Sequence, residues 1–318
     1  MSDTEVRVIA HNPMTGPRHL AHYICIKDYL AQEQQEGYAS FYVVDDLAAY
    51  VMYPASREKV LNRAFFTIRD FLAAGVDPGS NHLVLTSMLA EAHELNVLFN
   101  MHVDWQYCYD LYKESFCGRL VSYQREQIGF NKYPSVTEVI HTQTALAALT
   151  LGLQAEEFTG GEEMLGYMPI MRDIVENFNK AYGEVLELPE MDLVRYPFVL
   201  GTDGRHMMND NALFLASPAN EVREVVGRVS DYAVLRQWYG ALDAKDWAKK
   251  LPPSGVPSAA DREKAASFFV DALERFRKYK ISNAEILEIV RGGVVRARDL
   301  LSETVLRVRG AIGMPPGF

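Results

Sequence analysis

Short apolar runs that stop at turn or acidic residues, each followed by a stretch with helical spacing, fill the first ninety residues. This alternation constrains the fold more than any other feature. Val6 to Ala10 is a β-branched apolar run punctuated by Asn12, Pro13 and Gly16. His19 to Gln34 then carries apolar residues at Leu20, Ile24 and Leu30, which predicts a helix. A second run, Phe41-Tyr-Val-Val44, stops at Asp45-Asp46, and helical patterning returns from Ser56 to Ala74. The turn Gly75-Val-Asp-Pro-Gly79 leads into a third run, His82-Leu-Val-Leu-Thr86. Strands that alternate with helices argue for an α/β fold around a parallel sheet.

From about Ala90 to Leu153 the pattern is helical, which reads as an insertion on that sheet. After Tyr196-Pro-Phe-Val-Leu200 comes a polar, glycine-bearing loop, Gly201-Thr-Asp-Gly-Arg-His206. The remainder is helix-like, broken by Leu251-Pro-Pro-Ser-Gly-Val-Pro257. Ala259 to Lys278 and Ala284 to Ile312 are the clearest amphipathic helices. The expected layout is a domain over 1–217, with its helical insertion at about 90–153, and an all-helical domain over 218–318.

A length of 318 residues suits about two domains. With 48% hydrophobic and 23% charged residues, disordered, collagenous and coiled-coil classes are excluded. Cys25, Cys108 and Cys117 form no CxxC pair, so neither a disulfide framework nor a zinc cage is expected. No basic start or apolar core marks a signal peptide, and no stretch approaches a membrane span, so a cytoplasmic protein is expected. The net charge of −10 is uneven: from Pro218 onward 17 Lys and Arg face 13 Asp and Glu. An acidic body with a mildly basic tail fits nucleic-acid contact through the C-terminal part, and equally an ordinary solvated helical surface.

The segment Thr15-Gly-Pro-Arg-His-Leu-Ala-His-Tyr23 is the most specific local signal. A strand, a glycine turn and two histidines three apart at a helix start suit an anion. The first free N–H groups and the positive helix end point at it, and imidazoles add hydrogen bonds. A pair of surface histidines is the bland alternative.

Met14 to Tyr23 resembles the P-T-G-x-x-H-L-G-H-Y form of the HIGH signature of class I aminoacyl-tRNA synthetases, with the tryptophanyl-tRNA synthetase family the most similar. Phe41 to Ala49 resembles that family's strand ending in I-A-D-x-H-A. Gly75-Val-Asp-Pro78, Leu83 to Ser87 and His93-Glu-Leu95 follow its G-x-D-P, F-x-Q-S and H-x-x-L stretch. Met171 to Asn179 is similar to T-R-D-I-A-x-R-F-N, and Glu288 to Arg298 with Val308 to Gly313 match the closing helix. The ordered matches run from about residue 7 to residue 313.

The resemblance implies a Rossmann-type catalytic domain with a helical insertion and a helical bundle that contacts tRNA. It also implies a homodimer, with ATP and Mg2+ as nucleotide and counter-ion and an amino acid or related acid as substrate. It assigns Thr15, Gly16, His19, His22, Gly161, Glu163 and Met207 to ATP, with His19, His22, His206 and Lys113 as catalytic candidates. Ile9, His11, Val44, Asp45, Leu47, Leu149 and Met164 fall on the amino-acid site.

Several positions depart from the family. Met164 stands for a glutamine that holds the amino-acid head group, and a thioether cannot replace an amide there. Leu149 stands for the aspartate that accepts the indole N–H, so the argument for tryptophan fails and a substrate with an apolar tip is expected. His11 stands where the family has glycine. In Gly201 to Asn211 both phosphate-neutralising lysines are gone, replaced by His206 and Asn209, although charge there is a large catalytic term. Asp45-Asp46, the aromatics Trp105, Tyr107, Tyr109 and Tyr112, and Tyr232, Trp238 and Tyr239 are read as strand-end and packing residues. The resulting expectation is a divergent paralogue that activates an acid other than tryptophan as its adenylate and passes it to tRNA or a small nucleophile. The alternatives are a non-catalytic binding paralogue, or a transferase that takes charged tRNA and needs no ATP.

Overall fold

The computed structural model describes residues 6–11, 17–36, 39–52, 57–114, 134–160, 168–193 and 199–315. Among these residues five strands form one parallel sheet: β1 (Val6–His11), β2 (Ala39–Val44), β3 (His82–Leu85), β4 (Glu157–Gly160) and β5 (Glu190–Leu193), in the order β3-β2-β1-β4-β5. The chain starts in the middle, winds outward through β2 and β3, then crosses to the other side of β1. The order reverses between β1 and β4, and in such sheets ligands bind outside the carboxyl ends near that reversal. Register sets His11 opposite Val44, and Val44 opposite Leu85. Asp45 and Thr86 therefore emerge together, one residue beyond the sheet's carboxyl edge.

The connecting helices are α1 (Leu20–Glu36), α2 (Asp46–Met52), α3 (Arg57–Ala74), α4 (Ala90–Phe99), α5 (Trp105–Glu114), α6 (Val136–Gly152) and α7 (Met168–Tyr182). The first three strands and the α1 and α3 helices follow the sequence expectation within two residues. The Asp45–Asp46 strand end starts α2: the Asp45 Oδ1 accepts the Ala48 N–H at 3.0 Å as an N-cap. Ser135 and Glu138 form a reciprocal capping box that starts α6.

Beyond the polar loop lie α8 (Ala219–Gly227), α9 (Tyr232–Ala241), α10 (Lys245–Lys249), α11 (Ala259–Ala272), α12 (Glu274–Lys278) and α13 (Asn283–Ile312). The single helix expected over Ala259 to Lys278 is in fact two, broken at the fully buried Leu273. The helix α13 has every local signal: a Ser282–Glu285 capping box, apolar residues at Ile286, Val290, Val294, Leu301, Val305 and Val308, and a left-handed Gly313 at φ 77°. It packs back against the sheet. Gly293 lies against β3 so closely that a Cβ there would stand 2.4 Å from the Leu83 carbonyl oxygen. Arg298 pairs with Glu91 at 2.8 Å and Arg309 with Glu94 at 2.5 Å, tying α13 to α4. Among the described residues no helix is long and apolar enough to cross a membrane.

Candidate active site

The two motif segments meet. Leu20 N–H donates to the Leu213 carbonyl at 3.0 Å and Leu215 N–H to the Arg18 carbonyl at 2.9 Å, so 18–20 and 213–215 pair as a short antiparallel bridge. His19 lies in that bridge, just before α1, and His22 in the first turn; the rings are 3.9 Å apart between centroids. The His19 backbone N–H donates to His22 Nδ1 at 3.1 Å. A nitrogen that accepts carries no proton, so the His22 ring carries its proton on Nε2, where it can donate.

His19 is only 7% exposed, and its Nδ1 is buried without a hydrogen-bond partner among the described residues. Burial first, then the charges of Arg18 and His206, lower its pKa to about 3. His19 is therefore neutral near pH 7 and works through hydrogen bonding, not through charge. The fixed charge beside it is Arg18, 2% exposed, whose pKa burial lowers to about 10 despite Asp70, so it stays protonated. Asp70 sits behind Arg18, and burial raises its carboxyl to about 7.

The loop from Gly201 to Asn211 is closed by its own bonds. Asn211 Nδ2 donates to Asp203 Oδ1 at 2.8 Å and to the His206 carbonyl at 3.1 Å, and Asn211 Oδ1 accepts Met208 N–H at 2.7 Å. A Cβ on Gly201 would fall 2.2 Å from the Asn211 side chain, so this turn requires glycine. Met207 is buried and His206 exposed. Arg205 is the single Lys or Arg between 201 and 211; it pairs with Asp203 at 2.5 Å. The carbonyl of Leu200 accepts Trp238 Nε1–H at 2.7 Å, which anchors the loop on α9.

At the carboxyl edge of β2 and β3 a second group of side chains converges. Asp45, Thr86, His93, His141, Leu146 and Leu149 line a small cleft of about 10 Å³. Thr86 Oγ1 donates to Asp45 Oδ1 at 2.7 Å, and His93 Nε2–H donates to the Thr86 carbonyl at 2.9 Å. Burial alone would raise the Asp45 carboxyl, but the His141 imidazole, the Thr86 hydroxyl and the Ala48 N–H together hold it below the ordinary range. His141 Nε2 stands 3.9 Å from Asp45 Oδ1, an ion-pair separation and not a hydrogen bond. Leu149 lines the same cleft, beside this pair. The wall is mixed, with apolar Leu146 and Leu149 beside polar Asp45, Thr86, His93 and His141.

Other assigned residues fall out as follows. Val44 is fully buried at the end of β2, and Leu47 in α2 is partly buried, its N–H donating to Thr86 Oγ1 at 3.3 Å. For Ile9 and His11 the described part is the β1 backbone. Thr15, Gly16, Gly161, Glu163 and Met164 lie outside the described residues. Lys113 pairs with Asp110 at 2.7 Å and lies 4.8 Å from the Tyr109 ring, partners on its own helix. Trp238 and Tyr239 are buried packing residues, as read from the sequence. Sequence reasoning missed Arg18, which falls on an unspecified position of the histidine motif, and His141, which has no motif around it; each acquires meaning only from its spatial neighbours. Another cavity, of about 830 Å³, lies between α3 and residues 276–285. Its arginines close that seam: Arg69 reaches Asn283 Oδ1 at 3.4 Å and Arg277 the Ser217 carbonyl at 3.4 Å.

Comparison with known proteins gives one answer throughout. A family described as tRNA synthetases class I (W and Y) matches residues 4–231. The tryptophan–tRNA ligase of Thermotoga maritima is 26% identical over 97% of this chain and 99% of its own length. That of Clostridium longisporum is 24% identical over 94% of each chain. Among solved structures, Campylobacter jejuni tryptophanyl-tRNA synthetase, complexed with ADP and tryptophan, superposes with a TM-score of 0.77 at 18% identity, covering 98% of this chain and 100% of that one. Aeropyrum pernix tyrosyl-tRNA synthetase follows the same fold with a TM-score of 0.63 at 12% identity, over 91% and 89% of the two chains. With its parallel sheet, its paired motif segments and a family match over most of its length, the chain belongs to the class I tRNA synthetases of the tryptophan and tyrosine type.

Proposed function

We propose that this protein activates an amino acid other than tryptophan with ATP and passes the acyl group to tRNA or to a small nucleophile. The observation that carries the reading is the His19–His22 pair held against the segment that follows the Gly201–Asn211 loop. The donor set suits an anionic nucleotide: the His22 Nε2–H, the orphaned His19 Nδ1 and the Arg205 cation on the loop. In the proposed step a substrate carboxylate oxygen bonds to the α-phosphorus as the bond to the leaving pyrophosphate breaks. No proton transfer is required. The histidines hydrogen-bond oxygens whose charge grows in the transition state, the type of stabilisation that contributes most when preorganised. Mg2+ would accompany the nucleotide as its counter-ion.

Replacement of both loop lysines by His206 and Asn209 favours a slow enzyme and is the observation behind a second reading, a binding paralogue without activation chemistry. A transferase supplied with charged tRNA is a third. We also place the protein in the cytoplasm as a homodimer that contacts tRNA through its C-terminal helices.

ATP–pyrophosphate exchange against a panel of amino acids tests the proposal. Exchange with an acid other than tryptophan, abolished in His22→Ala, is the expected result. Exchange with tryptophan alone would restore an ordinary tryptophan enzyme. Silence across the panel, with ATP raising the melting temperature, would leave the binding paralogue.

A further inference from the structure

The cleft at the carboxyl edge of β2 and β3 contains a polar atom that nothing among the described residues satisfies. His141 is 7% exposed, and its Nε2 has no hydrogen-bond partner among the described residues. It faces Asp45 Oδ1 across 3.9 Å, while the Asp45 side chain keeps 16% of its surface open. The other polar groups in the cleft are spent: Thr86 donates to Asp45, and His93 donates to the Thr86 carbonyl. Buried polar groups are ordinarily paired, so an orphan aimed into a substrate-side cleft calls for a group from outside.

We propose that His141, acting with Asp45, is the specificity-determining residue of the amino-acid site and receives a hydroxyl group at the tip of the substrate side chain. This rests on the activation reading only for the identity of the site. The chemistry follows from the two partners. Asp45 is ionised and can only accept; the His141 tautomer that suits a facing carboxylate carries its hydrogen on Nε2, which then donates. The group between them must accept from one and donate to the other, which a hydroxyl does with a single oxygen. An oxygen about 2.8 Å from each partner sits at the apex of a triangle on that 3.9 Å base. The free space of about 10 Å³ admits one oxygen atom and little more. An indole or amine N–H would satisfy Asp45 and leave the His141 proton without an acceptor, and a carboxylate would be repelled by Asp45. Leu146 and Leu149 line the apolar part of the same wall.

The test uses two pairs of amino acids that differ by one hydroxyl: tyrosine with phenylalanine, and 5-hydroxytryptophan with tryptophan. Calorimetric binding and ATP–pyrophosphate exchange are measured on the full chain, on His141→Leu and on His141→Gln. In at least one pair the hydroxyl member binds about 10- to 100-fold tighter, and the advantage appears in KM and not in kcat. It collapses to near unity in His141→Leu and is largely restored in His141→Gln, whose amide also donates. A purely structural role for His141 would lower the melting temperature without altering the ratio. Equal binding within both pairs in the unmodified chain, no binding of either pair, or a ratio that persists in His141→Leu overturns the assignment. If His141→Leu does not fold, the unmodified chain and His141→Gln decide. Hydroxyl-selective binding without exchange would refute the activation reading and leave this inference standing; exchange without hydroxyl preference would do the reverse.

Discussion

The segment around His19 and the loop from Gly201 to Asn211 serve one candidate site, yet they are held by opposite means. Arg18, His19, Leu20 and Tyr23 are all under 8% exposed and are fixed by burial. Asp203, Arg205, His206 and Asn209 are exposed, and the loop is fixed by a net of hydrogen bonds around Asn211. A buried residue cannot change without repacking its neighbours, whereas an exposed one changes at little cost to stability. Positions 206 and 209, where the family's lysines are missing, are both of the second kind. The contrast teaches that the lost charge and the kept histidines need not report the same history: packing alone is enough to retain His19.

The largest effect expected from this contrast is a pH dependence confined to the buried side. Asp70, raised by burial to about 7 against 3.8 in the unfolded chain, keeps its proton when folded. Its contribution is complete below pH 3.8 and is lost as pH rises to about 7. His19, lowered by burial to about 3 from 6.5, runs the other way: full stability above pH 6.5, lost as pH falls toward 3. Each slope spans up to about 4 kcal/mol, and between about pH 4 and 6.5 they oppose. Asp70→Asn removes one slope, so the variant's melting temperature falls steeply on acidification while the parent's stays nearly flat. Parallel melting profiles for the two proteins would break the comparison at its buried end.

Next in size is His22→Ala, which removes one preorganised donor and lowers the exchange rate by about 100- to 1000-fold. Stopped exchange assays on variant and parent read this directly, and a loss under tenfold would mean that His22 packs but does not act. Gly201→Ala sharpens the other side. Its Cβ collides with Asn211, destabilising the fold by about 1–3 kcal/mol, measured by denaturant melting; an unchanged midpoint would show that the loop yields. The smallest effect is that of Arg205→Ala, an exposed cation already paired with Asp203. It raises KM for ATP about threefold at low salt, and the difference vanishes at high salt. A salt-independent change would make Arg205 a tightly engaged ligand.

The inner three strands were legible because each is an apolar run cut off by turn or acidic residues. β4 and β5 were not: Glu157-Phe-Thr-Gly160 and Glu190-Met-Asp-Leu193 have no apolar run, and pairing with neighbouring strands makes them. Leu273 offers no breaker residue, so the division between α11 and α12 was equally hidden. In the site, the histidine pair and Asp45 carry motif or strand-end signals. His141 carries none, since a lone histidine inside α6 looks like any other until Asp45 arrives from β2, ninety-six residues earlier in the chain. The Leu149 substitution was visible; the polar neighbours beside it were not.

The approach of Gly293 to Leu83 makes the last helix a beam resting on a knife-edge. At about 1.5 Å per residue, α13 extends roughly 15 Å to one side of that fulcrum and about 28 Å to the other. The long arm ends at Arg309 and Gly313, and the fulcrum is the strand whose next residue is Thr86. The Arg298–Glu91 and Arg309–Glu94 pairs brace that long arm on α4, so load on α13 bears on the strand backbone three residues before Thr86.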